Sequence, residues 1–318
     1  MRFRKFAALC VVAAWVCVLA ACSKPENSSS AEPPQNTGGK LHVLATFAPI
    51  FSFTKNVAGD LADVEMLLPP DTGPHDFAFA PSDLRKLAGA DVVVENGFGL
   101  EGWLDRAVQS GLKAGALRIV AARGIPPLQN PPELTTGTVE KKPDAEDESG
   151  PNPHVWLDPI FAIKEVENIR DGLMSKDPKN ADAYLANANA FSARLRDLDD
   201  EIGRTVEGLP SKRMLTFHDS FPYFAARYGF EIVGVVEAFP GKEPTPRYAE
   251  KLREIIAEKK VRVLFSEPQY APQILRSLSE DLKLPIVAID PMETGQPSAE
   301  FYETVMRQNL KALADALK

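Results

Sequence analysis

The chain has 318 residues and a formal net charge of −8 at pH 7. An acidic protein of this kind lacks the basic surface that nucleic acids require, so no nucleic-acid partner is expected. All of its cysteines, Cys10, Cys17 and Cys22, lie close to the N-terminus. The rest of the chain therefore has no disulfide and no thiolate, and any metal site in it must use nitrogen and oxygen ligands.

The first residues have the pattern of a secretory signal. Basic residues precede an apolar run from Phe6 to Ala20, and Leu19-Ala20-Ala21-Cys22 resembles the bacterial lipobox. The run is shorter than the roughly 20 residues that span a bilayer, which argues against a transmembrane anchor. We predict a signal peptide over residues 1–21, lipidation at Cys22, and an extracytoplasmic, membrane-anchored lipoprotein in the periplasm or at the cell surface. Residues 22–39 are rich in Ser, Pro and Asn and are predicted to be a disordered tether.

Beyond the tether, short runs rich in Val, Ile and Leu alternate with helical patterns, which is typical of parallel sheets with helices on their faces. The predicted strands fall into two groups of four: Leu41–Phe47, Val64–Pro69, Val92–Gly97 and Arg118–Ala122, then Arg213–Phe217, Glu231–Val236, Arg262–Glu267 and Pro285–Asp290. Between the groups, Asp177–Glu207 has apolar residues at steps of three or four, which predicts one long amphipathic helix. The predicted fold is α/β, with an N-terminal lobe over residues 40–176, a linking helix over 177–208 and a C-terminal lobe over 209–318.

One segment departs from this alternation. Residues Ile125–Gly150 are rich in proline and then charged, and they are predicted to form a mobile surface loop. The stretch 140–149 is acidic, and it is either a solvated insertion or a collector of cations.

Three of the four histidines stand in turn-like contexts beside a predicted strand or helix. His75 follows the second strand, His154 precedes a helix, and His218 follows the strand that ends at Phe217. In parallel α/β sheets, ligands bind at the carboxyl ends of the strands, so these side chains are candidates for one site. Any one of them taken alone would more often be a capping or hydrogen-bonded loop histidine, and it is their joint placement at strand ends that favours a site. The fourth, His42, alternates with apolar residues inside the first strand and is expected to be structural.

A fourth candidate ligand is Asp290, which ends the last predicted strand. A carboxylate at the end of a buried strand needs a partner, and the alternative role of Asp290 is to cap the next turn. Three imidazoles and one carboxylate would form the closed tetrahedral site that Zn²⁺ favours. Mn²⁺ prefers oxygen donors, so the expected ion is Zn²⁺, with Mn²⁺ as the alternative.

Several motifs, taken in order, resemble those of the zinc- and manganese-binding solute-binding proteins of bacterial ABC importers. They are Pro74-His75 with Pro81-Ser82-Asp83, Asn152-Pro153-His154-Val155-Trp156-Leu157-Asp158-Pro159, Thr216-Phe217-His218-Asp219, Ser266-Glu267-Pro268-Gln269, and Asp290. The resemblance implies two four-stranded α/β lobes joined by a rigid helix, a metal ion in the cleft between them, and delivery to a membrane permease. It implies His75, His154, His218 and Asp290 as ligands, and Asp219 and Glu267 as supporting or interlobe residues. Manganese-type relatives tend to have glutamate in place of His218, which favours zinc.

The chain also departs from the family it resembles. The stretch Glu140–Ser149 contains no histidine, whereas zinc-type members often have a histidine-rich loop there. The residues after His75, Asp76-Phe77-Ala78-Phe79-Ala80, lack the tyrosine and glutamate of the commoner pattern. The expected protein is a monomeric receptor and not an enzyme. The alternatives are a manganese-binding homologue, a surface adhesin with a structural metal, and a zinc hydrolase, which would need an open coordination position.

Overall fold

A computed structural model describes residues 39–75, 77–128, 150–237, 245–269 and 273–318. The predicted signal peptide, Cys22, almost all of the tether and the acidic stretch 140–149 lie outside the described residues.

The first group of strands forms a four-stranded parallel sheet, in the order β2-β1-β3-β4. Its strands are β1 Leu41–Ala45, β2 Ala62–Met66, β3 Val92–Glu95 and β4 Leu117–Val120. All four residues of the central strand β3 are buried, and β1 has only His42 half-buried. Nearly continuous burial of this kind is expected in parallel strands that are covered by helices on both faces.

The second group of strands is also parallel, but it is paired differently from the predicted four-stranded sheet. Its strands are β5 Arg213–Thr216, β6 Glu231–Val235, β7 Leu264–Ser266 and β8 Ile286–Ala288. Strand β5 pairs with β6, and β7 pairs with β8. Strands β5 and β7 lie next to each other, but among the described residues no backbone ladder joins them.

The helices that flank the strands in the described ranges are α1 Ala48–Ala58, α2 Pro81–Gly89, α3 Gly102–Gly111, α4 Pro159–Lys176, α5 Ala181–Glu207, α6 Pro222–Tyr228, α7 Pro246–Glu258, α8 Gln273–Leu282 and α9 Phe301–Ala316, with 3-10 turns at Val155–Leu157 and Pro178–Asn180. Five of these helices, α1, α2, α4, α6 and α7, have a proline in their first turn. Proline is favoured in the first turn because the N–H that it lacks would have no helical partner there. Helix α4 is also capped by Asp158, whose carboxylate accepts a hydrogen bond from the Ile160 N–H.

The long helix α5 begins after the 3-10 turn Pro178–Asn180, four residues later than predicted. Its 27 residues span about 40 Å at 1.5 Å per residue. Its buried apolar side chains recur at steps of three or four: Tyr184, Ala188, Phe191, Leu195, Leu198, Ile202 and Val206. This stripe belongs to the main hydrophobic core, which also contains side chains from the first sheet and from α9.

The expectation of an α/β fold with parallel sheets and a long helix is confirmed. Residues Lys40–Lys318 form one compact unit, and the boundaries drawn inside it at 176 and 209 stay a prediction. None of the helices in the described ranges combines the length and the apolar character needed to cross a bilayer.

Candidate metal centre

The loop that follows β2 carries His75 and is held by two hydrogen bonds to its backbone carbonyls. The Trp103 indole N–H donates to the Pro74 carbonyl at 3.0 Å, and the Gly295 N–H donates to the Pro70 carbonyl at 2.7 Å. The His75 side chain is 20% exposed. Of the side chains that form the centre, that of His75 therefore lies closest to solvent.

His154 precedes the turn Val155–Leu157 and is buried. Its backbone N–H donates to the Asn152 side-chain oxygen at 3.0 Å, and its ring Nδ1 lies 2.9 Å from the same oxygen. An amide oxygen can only accept, so Nδ1 carries the hydrogen and Nε2 keeps its lone pair. Asn152 is itself held, because its side-chain nitrogen donates to the Asp219 carbonyl at 2.7 Å. The local sequence thus presents Nε2 of His154 to a metal ion.

His218 follows β5 and is oriented by a carboxylate. Its Nδ1 bonds to Oε1 of Glu267, which follows β7, and both side chains are buried. A carboxylate on the far ring nitrogen fixes the tautomer of a ligating histidine and raises its basicity. Glu267, a candidate from the sequence, therefore lies where a supporting residue would act. Asp219 is buried beside His218, and its backbone carbonyl holds Asn152, the residue that orients His154. Burial raises the pKa of the Asp219 carboxyl to about 6.

Glu293 completes the cluster, and the sequence did not single it out. Its Oε1 lies 3.0 Å from Nε2 of His75, 2.9 Å from Nε2 of His154 and 3.2 Å from Nε2 of His218. Its side chain is 2% exposed. Its position in the loop after the last strand could have indicated a ligand, but Asp290 lies in the same loop.

The expectation that Asp290 supplies the fourth ligand is not what the structure shows. Its carboxylate instead accepts a hydrogen bond from the Met292 N–H at 2.7 Å. Its backbone N–H donates to the Asn309 side-chain oxygen, and the Asn309 side-chain nitrogen donates back to the Asp290 carbonyl, each at 2.7 Å. Asp290 therefore has the alternative role considered for it, the capping of a turn. The short aspartate side chain is used inside that turn, and the longer Glu293 reaches the histidines.

The spacing of the four donor atoms suits a small tetrahedral ion. Zn–N bonds of about 2.0–2.1 Å give ligand-to-ligand edges of about 3.3–3.4 Å in a tetrahedron. Nε2 of His154 lies 3.4 Å from Nε2 of His75 and 3.2 Å from Nε2 of His218. With the glutamate contacts of 2.9–3.2 Å, the edges fall close to that value. The four donors, which all lie within 4.8 Å of one another, could hold a metal ion.

The charges of the centre suit a cation. Burial lowers the pKa of His154 to about 3, so this ring is neutral. Burial opposes the ionisation of Glu293, but the nearby imidazoles of His75 and His218 outweigh it and hold the pKa of that carboxyl well below its usual range. For His218, burial lowers the pKa, and the carboxylates of Glu267 and Glu293 outweigh burial and raise it well above its usual value. A metal ion that binds here therefore takes the place of a proton on His218.

Four protein donors fill a tetrahedral site and leave no position for the reactive water that catalytic zinc needs. The donors come from four loops that are far apart in the chain. An α/β fold with a long helix and a mostly buried, closed site of this kind fits the class of receptors that hold a metal ion without reacting with it.

Comparison with known proteins agrees with this class. The model of the family described as zinc-uptake complex component A, periplasmic (ZnuA), matches residues 43–316, and the chain belongs to that family. The high-affinity zinc uptake system protein ZnuA of Bacillus subtilis is 31% identical over 99% of this chain and 98% of its own length.

Two solved structures extend the comparison. The solute-binding protein FpvC of Pseudomonas aeruginosa, solved in complex with Mn²⁺, has a TM-score of 0.78 at 28% identity and covers 88% of this chain and 99% of its own. The laminin-binding protein Lmb of Streptococcus agalactiae, described as a bifunctional adhesin and metal transporter, has a TM-score of 0.74 at 27% identity, with 87% and 100% coverage. Proteins of the ZnuA family are solute-binding receptors, not enzymes, and work with ABC-transporter permease components. The expectation of a receptor of this type is confirmed.

Proposed function

We propose that the protein captures Zn²⁺ outside the cytoplasm and delivers it to the membrane permease of an ABC importer. The observation that carries the proposal is the buried group of three imidazoles and one carboxylate at tetrahedral spacing. Membership of the zinc-uptake family supports it.

The proposed ligands are Nε2 of His75, His154 and His218 and a carboxylate oxygen of Glu293. This set keeps the three histidines predicted from the sequence and replaces Asp290 by Glu293. One glutamate among three neutral imidazoles leaves a bound Zn²⁺ with one net positive charge.

Zinc is favoured over manganese by donor type. Three of the four donors are imidazole nitrogens, which suit Zn²⁺, whereas Mn²⁺ prefers oxygen. The manganese complex of FpvC, at 28% identity, makes Mn²⁺ the competitor to test.

Anchoring is the second part of the proposal. The sequence Leu19-Ala20-Ala21-Cys22 supports acylation at Cys22, which would keep a monomeric receptor at the membrane surface beside its permease. Mass spectrometry of the membrane-extracted protein tests this part. A mature chain that begins with acylated Cys22 is expected, and a chain cleaved elsewhere without lipid would contradict it.

Competitive calorimetry of the metal-free protein with Zn²⁺ and Mn²⁺ tests the function. One Zn²⁺ per chain is expected to bind, and X-ray absorption is expected to show three nitrogen ligands and one oxygen ligand at about 2.0–2.2 Å. His154→Ala should weaken binding strongly. His42→Ala is the matched control, because that ring lies in β1 and contacts Glu65 at 3.2 Å. Tighter binding of Mn²⁺ than of Zn²⁺, or equal losses in both variants, would contradict the proposal.

A further inference from the structure

The turn between β8 and α9 carries the glutamate of the centre on a strained backbone. Met292, the residue before Glu293, has φ +65°. Residues with a side chain rarely adopt this left-handed conformation, because Cβ approaches the backbone too closely. Of the non-glycine residues with positive φ in the described ranges, which are Phe98, Lys260, Lys283 and Met292, only Met292 is fully buried.

This backbone conformation decides where Glu293 points. The φ angle of Met292 sets the direction in which the chain leaves the turn, and a relaxed φ would rotate the following residue away from the histidines. Strain of this kind persists only where the surroundings hold it in place. The part of the structure that holds Met292 in this conformation therefore controls the fourth donor.

Four hydrogen bonds anchor the turn at Met292 and just before it. The Asp290 carboxylate accepts at 2.7 Å from the backbone N–H of Met292, the strained residue itself. Asn309 on α9 fixes the Asp290 backbone through its two bonds. The indole N–H of buried Trp156 donates to the Pro291 carbonyl at 2.8 Å, which joins the turn to the segment that carries His154.

We propose that Asp290 is a positioning residue for Glu293: its carboxylate holds Met292 in the left-handed conformation that directs Glu293 into the group of histidines. This inference rests on the proposed function, since it assigns Asp290 a part in metal binding without contact with the ion. Asp290 acts through the Met292 N–H, and only that bond links its side chain to the strained residue.

Zinc affinity, measured by competition with a chelating indicator, tests the proposal in a double-mutant cycle. Asp290→Ala is expected to weaken zinc binding by about ten- to a hundredfold, the usual effect of removing an outer support of a metal ligand. In the Glu293→Gln background the same change should cost less than about threefold, because the group that Asp290 positions no longer ligates as an anion. Equal losses in the two backgrounds, or no loss in a folded Asp290→Ala protein, would overturn the proposal.

Glycine at position 292 provides a second test. Glycine adopts φ +65° without a steric penalty, so Met292→Gly should make the carboxylate of Asp290 less necessary. Asp290→Ala/Met292→Gly is therefore expected to bind zinc more tightly than Asp290→Ala, although the loss of a buried methionine lowers its melting temperature. If Asp290→Ala alone does not fold, the double variant is expected to recover folding. A double variant that is no better than Asp290→Ala in either respect would refute the holding role.

The matched control is Asp177→Ala. Asp177 is a buried aspartate that accepts hydrogen bonds from Asn180 at 2.7 Å and from Tyr184 at 2.9 Å, and it contacts none of the four donors. The Asp177→Ala substitution should lower the melting temperature and leave zinc affinity unchanged. The proposed function fails if the unaltered protein does not bind zinc. The positioning role alone fails if the unaltered protein binds zinc, Glu293→Gln weakens binding, and Asp290→Ala does not.

Discussion

The bond between Glu267 and His218 allows a sharp test of how the protein tunes its ligands. Glu267→Gln keeps the shape of the side chain and an oxygen that can accept from Nδ1 of His218, but it removes the negative charge. Both side chains are 2% exposed, so solvent does not screen the lost interaction. Removing such a support typically weakens metal binding by about 10–100-fold, which corresponds to about 1.4–2.8 kcal/mol.

The loss of affinity should depend on pH. Burial lowers the pKa of His218, but Glu267 and Glu293 outweigh it and raise that pKa well above its usual value. At neutral pH, zinc must therefore displace a proton from this ring in the unaltered protein, and affinity falls by up to about tenfold for each pH unit below the raised pKa. Glu267→Gln lowers the pKa, so proton competition begins at a lower pH. The variant should differ most from the unaltered protein at alkaline pH, and the difference should shrink as the pH falls.

Indicator competition from about pH 6 to about pH 9 measures both effects. Glu165→Gln is the control, since Glu165 is a buried carboxyl on α4 outside the group of donors. The zinc affinity of this variant should match that of the unaltered protein. If Glu267→Gln binds zinc as tightly as the unaltered protein at pH 9, or if the ratio of their affinities is the same at every pH, the reasoning about His218 is wrong.

Two further predictions concern stability in the metal-free protein. Burial, together with nearby Glu101, raises the pKa of Glu165 well above its usual value. The folded state therefore keeps a proton that the unfolded state releases, and the free energy of unfolding falls by about 1.4 kcal/mol per pH unit from about pH 4.5 up to the raised pKa. Glu165→Gln should remove this slope and be the more stable protein at pH 8, as urea denaturation at pH 5 and pH 8 can show; parallel pH profiles would contradict it. Trp156→Phe should lower the free energy of unfolding by about 1–3 kcal/mol, because the buried Pro291 carbonyl loses its donor. A denaturation midpoint unchanged from that of the unaltered protein would show that this bond contributes nothing.

The sequence carried enough local information to predict the fold class. Continuous apolar runs such as Val92-Val93-Val94 predict buried parallel strands, because backbone pairing and burial act on the same residues. The apolar stripe of α5 predicts its length to within a few residues, because the helical period is a local property. The pairing of the second group of strands could not be predicted in this way, since hydrogen bonds between β5, β6, β7 and β8 depend on their mutual placement.

The three histidines illustrate how far a local pattern extends. His75, His154 and His218 each stand in a loop beside a strand or a short turn, and parallel strands bring their carboxyl ends to one edge. The sequence therefore indicated which rings could meet. In the structure, Nε2 of His154 lies 3.4 Å from Nε2 of His75 and 3.2 Å from Nε2 of His218.

The choice between the two carboxylates was decided only by tertiary structure. Asp290 and Glu293 lie three residues apart in one loop, and both are acids that follow a strand. Asp290 is held by Asn309 from α9 and caps the turn, whereas the left-handed Met292 directs Glu293 inward. The φ angle of Met292 and the contact from Asn309 on α9 settle which carboxylate oxygen faces the imidazoles. The local pattern shows neither of them, because the position of Asp290 depends on its bonds to Asn309 of α9, and the φ angle of Met292 depends on that position.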